Sequence, residues 1–140
     1  MLRAVIAALL LAASPASAAE TFTGPFPARL VRVLDGDTIR VEIRLWFSQA
    51  LTETVRLLGI DAPESGKRAR CPAEAEAAER ARLRLAELLA GRQVELWNVR
   101  REKYGRALAT VTAGGVDVGA ELLKEGLARA YGGERRKGWC

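Results

Sequence analysis

The chain reads as an α+β fold: a small barrel of five short strands with two or three helices packed on it. Three observations predict this. Apolar and polar residues alternate in five separate stretches, the period-2 signature of half-buried strands. Residues 72–90 carry instead a helical stripe and fall between the third and fourth stretches. No repeat or linker interrupts the order strand-strand-strand-helix-strand-strand-helix, so the strands share one core.

Taken in order, residues 1–18 predict a secretory signal. Arg3 gives a basic start, AVIAALLLAA an apolar run, and Ala16-Ser17-Ala18 a small-residue cleavage site. The run is shorter than the roughly 20 residues that cross a bilayer. The expectation is cleavage after Ala18, an exported (periplasmic or secreted) protein, and a single domain over residues 19–140. No membrane association is expected after cleavage.

Residues 28–34 form the first expected strand. Asp35-Gly36 between apolar runs is a hairpin signal. In the second strand, Thr38 to Leu45, Ile39, Val41, Ile43 and Leu45 alternate with Thr38, Arg40, Glu42 and Arg44. Trp46 to Glu53 reads as a loop, and residues 54–60 as the third strand. Pro63 stops that strand and holds Ala62 extended. The helix at 72–90 has Pro72 in its first turn, early glutamates and Gly91 just past its end. Its buried stripe is Ala78, Ala81, Leu85 and Leu88. Strands at 93–99 and 106–113, a Gly114-Gly115 turn and a helix near 117–125 follow. This order suits the oligonucleotide-binding (OB) type of barrel.

The net charge of +5 at pH 7 permits a polyanionic partner without requiring one. Basic residues cluster at 67–70, 100–106 and 135–137, and such runs are more often solvated faces. The absence of histidine excludes Ser-His-Asp triads, Cys-His dyads, histidine-based phosphodiester cleavage and histidine-ligated zinc. Hydrolysis would rest on carboxylates, guanidinium groups and a hard cation. Cys71 and Cys140 are the only cysteines, and in an exported chain they predict a disulfide.

Three clusters carry candidate chemistry. Asp37 shares the parity of Ile39 and Val41, so it points inward at the barrel mouth. It is either a turn cap or a ligand. In Arg56-Leu-Leu-Gly-Ile-Asp61-Ala-Pro-Glu64, strand parity sets Arg56 and Asp61 on opposite faces, and a bend near Gly59 is needed to bring them together. Lys103-Tyr104-Gly105-Arg106 opens the last strand. Each cluster has a bland reading as a polar turn or surface ion pair. Together they suit cation-assisted phosphodiester chemistry.

At these residues the sequence resembles the staphylococcal nuclease (thermonuclease) family, through LDGDTIRV (34–41), RLLGIDAPE (56–64), EKYGRALATV (102–111) and ELLKEGLARAY (121–131). The resemblance implies an OB-type barrel and a Ca²⁺-dependent nuclease acting on DNA and RNA. It implies Asp37, Asp61 and the Ala62 carbonyl as calcium ligands, with Asp35 close outside them. Glu64 would act on the attacking water. Arg56 and Arg106 would bind the scissile phosphate, Lys103 and Tyr104 would flank the nucleotide, and Tyr131 would pack near the base. The loop after Glu64 departs from the family pattern, which leaves substrate contact by Lys67, Arg68 and Arg70 open. A Cys71–Cys140 bridge would pin the tail to the barrel, and closing such a loop contributes roughly 4 kcal/mol. The competing reading is a non-catalytic single-strand-binding barrel. It gives no reason for Arg56, Asp61, Glu64, Arg106 and Asp37 to occur together. A monomer without a stable protein partner is expected.

Overall fold

Strands β1 (Phe26–Asp35) and β2 (Thr38–Trp46) form the hairpin expected at Asp35-Gly36 in the computed structural model, which describes residues 19–140. The expected signal peptide at 1–18 lies outside the described residues. No helix among the described residues is long and apolar enough to cross a membrane. The segment expected to be a loop, Trp46 to Glu53, is instead a tight hairpin. Strand β3 (Gln49–Leu57) starts directly after a turn at Phe47-Ser48, and Glu42, Ile43 and Arg44 pair with Thr52, Leu51 and Ala50. The sequence hides this because the far end of the hairpin is solvated. Leu45, Trp46, Phe47 and Leu51 are all exposed, so the ladder is held by backbone bonds and leaves no inward-facing stripe to read.

Strand β4 (Ile60–Asp61) and helix α1 (Pro72–Leu89) follow, then β5 (Val94–Arg101), β6 (Ala107–Ala113), β7 (Val116–Asp117), helix α2 (Val118–Lys124) and β8 (Arg129–Ala130). The main sheet runs β3-β2-β1-β5-β6-β7. It closes where β3 pairs in parallel with β6, Val55 opposite Ala107 and Leu57 opposite Ala109. The result is a closed, mixed five-stranded barrel of β1, β2, β3, β5 and β6 with two helices, as expected of the OB class. β7 extends β6, and β4 pairs with β8 outside the barrel. The core holds Ile39, Val41, Val55, Leu57, Leu96 and Val111 from the barrel, with Leu85 and Leu89 from α1 and Leu122 from α2. Ala78, Ala81, Leu85 and Leu88 are buried, as their spacing predicts.

Three local devices shape the end of the barrel where β2 begins. Gly59 has φ +82°, a left-handed turn residue that reverses the chain between β3 and β4. This is the bend that the parity of Arg56 and Asp61 requires. Gly36 is not among the glycines at positive φ; what it supplies is closeness. A Cβ there would lie 2.6 Å from the Ala81 Cβ and 3.0 Å from the Ala62 Cβ, so the β1–β2 turn rests directly on α1 and on the loop after β4. The third device is Glu74, in the first turn of α1 and 3% exposed. Its carboxylate accepts from the backbone N–H of Arg70 at 2.9 Å and of Glu64 at 3.2 Å. That ties the whole loop after β4 to a helix N-terminus, where negative charge is favoured.

The Cys71–Cys140 bridge is present, with the two Cα atoms 6.0 Å apart. The sulfurs lie near the Glu74 carboxylate. Bonded to each other, they offer no thiolate to a metal. The tail is further held by Arg129, whose guanidinium stacks 3.8 Å from the Trp139 ring centre and donates to the Gly138 carbonyl at 2.6 Å.

Gly36→Ala should cost about 1–3 kcal/mol, the range for overpacking a filled interior, read from denaturant midpoints. Glu74 yields a signed pH test. The Arg70 amide, followed by that of Glu64, holds its carboxyl below the ordinary 4.5 against the opposing effect of burial. A depressed folded-state pKa stabilises above the unfolded value and is lost as pH falls through the folded one. Glu74→Gln should therefore destabilise by roughly 1 kcal/mol at neutral pH. The gap from wild type should close as the pH drops below 4.5, followed by denaturation at a series of pH values.

Candidate functional site

The site is built where the β1–β2 turn, the end of β3 and the loop after β4 meet. Asp37 leads into β2 with its side chain turned inward and is 7% exposed. One carboxylate oxygen, Oδ2, accepts from the Ala62 backbone N–H at 2.9 Å, and Oδ1 accepts from the Thr38 hydroxyl at 2.9 Å. Burial pushes this carboxyl above its usual range; the Ala62 amide, the Arg56 charge and the Thr38 hydroxyl oppose the rise. A buried carboxylate in that balance gains from any further cation.

Arg56, near the end of β3, reaches both acids. Its Nη2 lies 3.5 Å from Asp37 Oδ2 and 3.2 Å from Asp61 Oδ1, and all three side chains are nearly buried. Asp61 and Arg56 thus converge through the Gly59 reversal. Glu64 sits on the rim of the same cleft. Its carboxylate is bonded on one oxygen by Arg68 Nε at 3.2 Å and on the other by Arg136 Nη1. Asp35 does not touch Asp37 or Asp61. It accepts from the Ser65 hydroxyl at 2.8 Å and from Arg68 at 3.0 Å, and so steadies the loop that carries Glu64.

Arg106, just before β6, enters the cleft from the other side of the barrel seam. Its Nε and Nη2 are bonded to the Glu102 carboxylate. A cavity of about 310 Å³ is lined by Asp35, Asp37, Arg56, Glu64, Arg106 and Arg136, among others. An adjoining cleft of about 560 Å³ shares Arg56, Arg106 and Arg136 and adds Lys103, Tyr104 and Tyr131. Tyr131 lies against the Arg56 guanidinium, 5.3 Å from ring centre to Cζ. Tyr104 is 74% exposed, with Lys103 Nζ 5.0 Å from its ring centre. Every residue singled out by sequence for the site therefore lines one of two joined hollows or is bonded to residues that do.

The donor set suits a hard cation. Asp37 and Asp61 are buried carboxylates that share one guanidinium nitrogen. The Asp61 carboxylate and the Ala62 carbonyl both lie within 3.4 Å of a second one, Arg136 Nη2. Carboxylate and carbonyl oxygens without sulfur or imidazole are calcium's preferred company.

Some residues of the site were not read from the sequence. In the sequence Arg136 is one member of a basic run, yet its Nη2 is 2.7 Å from Asp61 Oδ1. The signal that could have found it is Cys140 close behind, because a bridge to Cys71 brings the tail to the acidic loop. Arg68, whose role the sequence leaves open, is bonded to Asp35 and Glu64. Glu102, which holds Arg106, lies four positions before it and faces it across the tight turn at 103–105.

Comparison with known proteins places the chain in a family. Residues 54–138 match the family model described as staphylococcal nuclease homologue, a span that includes Arg56, Asp61, Glu64, Arg106 and Arg136. A micrococcal nuclease of Shigella flexneri is 37% identical over 139 residues, covering 93% of this chain and 70% of that protein. Endonuclease YncB of Bacillus subtilis (strain 168) is 40% identical over 105 residues, which are 71% of this chain and 46% of the endonuclease. The thermonuclease of Staphylococcus intermedius is 36% identical over 100 residues, 71% of this chain and 56% of that one. The chain spans about half the length of the last two.

Proposed function

The chain belongs to the staphylococcal nuclease family and is a nuclease, and we propose that it is a calcium-dependent phosphodiesterase cutting DNA and RNA in the cleft between Asp37 and Arg106. The observation that carries this reading is one hollow lined by Asp37, Arg56, Glu64 and Arg106, with Asp61 and Ala62 bonded to the residues that line it, in a chain without histidine. In this reading residues 1–18 direct export, and residues 19–140 act as a monomeric single domain.

Asp37, Asp61 and the Ala62 carbonyl hold the ion. Bound there, calcium supplies polarisation of the phosphate and a site for the attacking water. The remaining work falls to side chains. Arg56 and Arg106 approach from opposite sides of the seam and grip the phosphate oxygens on which negative charge grows in the transition state. Glu102 holds the Arg106 guanidinium in place before substrate arrives. Glu64, four-fifths covered on the cleft rim, takes the water's proton or orients the water. Tyr131 and Tyr104 offer flat faces to the sugar-base side, and Lys103 sits beside the phosphate.

The direct test is incubation of the mature protein with single-stranded DNA, duplex DNA and RNA, with calcium or with a chelator. Cleavage should require calcium. Binding without calcium-dependent cleavage would favour the single-strand-binding alternative. Glu64→Gln should lower kcat by about 10²–10⁴-fold with little change in KM. Arg106→Lys keeps the charge but loses the planar donor, and should lower kcat by about 10²-fold or more; near-normal turnover would show that charge alone suffices.

A further inference from the structure

Arg136 is the one cation of the site that comes from the chain's tail. Its Nη2 lies 2.7 Å from Asp61 Oδ1 and 3.4 Å from the Ala62 carbonyl, while Nη1 bonds Glu64. Asp61 and Ala62 are the oxygens assigned above to the ion, and Glu64 is assigned to the water. Among the arginines touching Asp61, Arg56 is anchored in a strand with its side chain 11% exposed, whereas Arg136 is 41% exposed. Arg136 therefore has solvent to retreat into and Arg56 does not. A guanidinium and a divalent ion at contact distance of the same oxygens would repel one another strongly in a half-desolvated cleft.

The tail cannot carry Arg136 far away. Cys140 is bonded to Cys71, directly before the helix whose Glu74 holds the acidic loop. Trp139 and Gly138 are held by Arg129. A guanidinium tethered over so short a reach competes as an intramolecular ligand, at a local concentration that free ions do not match.

We propose that Arg136 is an internal counter-cation of the acidic cluster. It occupies, through Asp61, the Ala62 carbonyl and Glu64, the position the divalent ion takes, and calcium binding exchanges the guanidinium for the ion. The exchange also releases the Glu64 oxygen for the water, so one event fills the site and frees its base. The Cys71–Cys140 bridge sets how strongly the guanidinium competes. This inference rests on the calcium reading above.

Calorimetric titration of the mature protein with calcium chloride tests it without reference to activity. Arg136→Ala should bind calcium about tenfold more tightly than wild type, the effect of removing charge-assisted bonds that the ion must break. Arg136→Gln, which keeps a neutral hydrogen-bonding side chain on the tail, should shift in the same direction and serves where the alanine variant does not fold. Replacing both cysteines by serine should tighten binding when Arg136 is present and add nothing once it is gone. Asp61→Asn, expected to lose the binding heat, ties that heat to this site. If wild type and Arg136→Ala bind equally, or the variant binds more weakly, the counter-cation role is wrong and the calcium reading stands. If neither binds calcium, the calcium reading falls and this inference falls with it.

Discussion

The bond from the Ala62 backbone N–H to Asp37 Oδ2, 2.9 Å long and buried, is the contact on which the site depends. It joins the start of β2 to the loop after β4, and so sets the second acid, Asp61, beside the first. An unpaired carboxylate at 7% exposure would cost several kcal/mol, so Asp37 tolerates burial only with partners. The Ala62 amide, the Thr38 hydroxyl and Arg56 are those partners. Gly36 makes the contact reachable by letting the turn sit against Ala81 and Ala62, and Gly59 turns the chain so that Ala62 arrives there. The backbone is arranged around the placement of one inward carboxylate.

The loop bearing Asp61 and Glu64 is held from below as well. Glu74 takes its amides, the disulfide fixes the residue before α1, and Arg68 links Asp35 to Glu64. A segment that would otherwise be free is thereby presented as a stiff shelf. Stiffness matters here because oriented groups that need not rearrange at the moment of reaction do more than the same groups in water.

Much of this was legible in the sequence and some was not, for identifiable reasons. The alternation of Ile39, Val41 and Ile43 gave β2 and the inward aim of Asp37 together, because a period of two fixes both at once. The spacing of Ala78, Ala81, Leu85 and Leu88 gave the buried face of α1. The far end of the β2–β3 hairpin looks like a loop in sequence because Leu45, Trp46 and Phe47 face solvent and the pairing there is backbone work, which leaves no trace in side-chain pattern. Arg136 was missed because its meaning depends on a contact across the whole chain. A basic run looks the same whether it is solvated or folded back onto acids, and only the cysteine pair hints at which.

The parallel seam between β3 and β6 has a consequence in time. Val55 and Ala107 meet across it, and contacts between such distant segments form late because loop-closure entropy must be met before they reward the chain. Arg106 stands immediately beside that seam, while Asp37, Arg56, Asp61 and Glu64 belong to the half of the chain made first. A chain still being synthesised holds the acids before Arg106 has been placed beside them across the seam. The cleft is complete only once β6 has docked against β3.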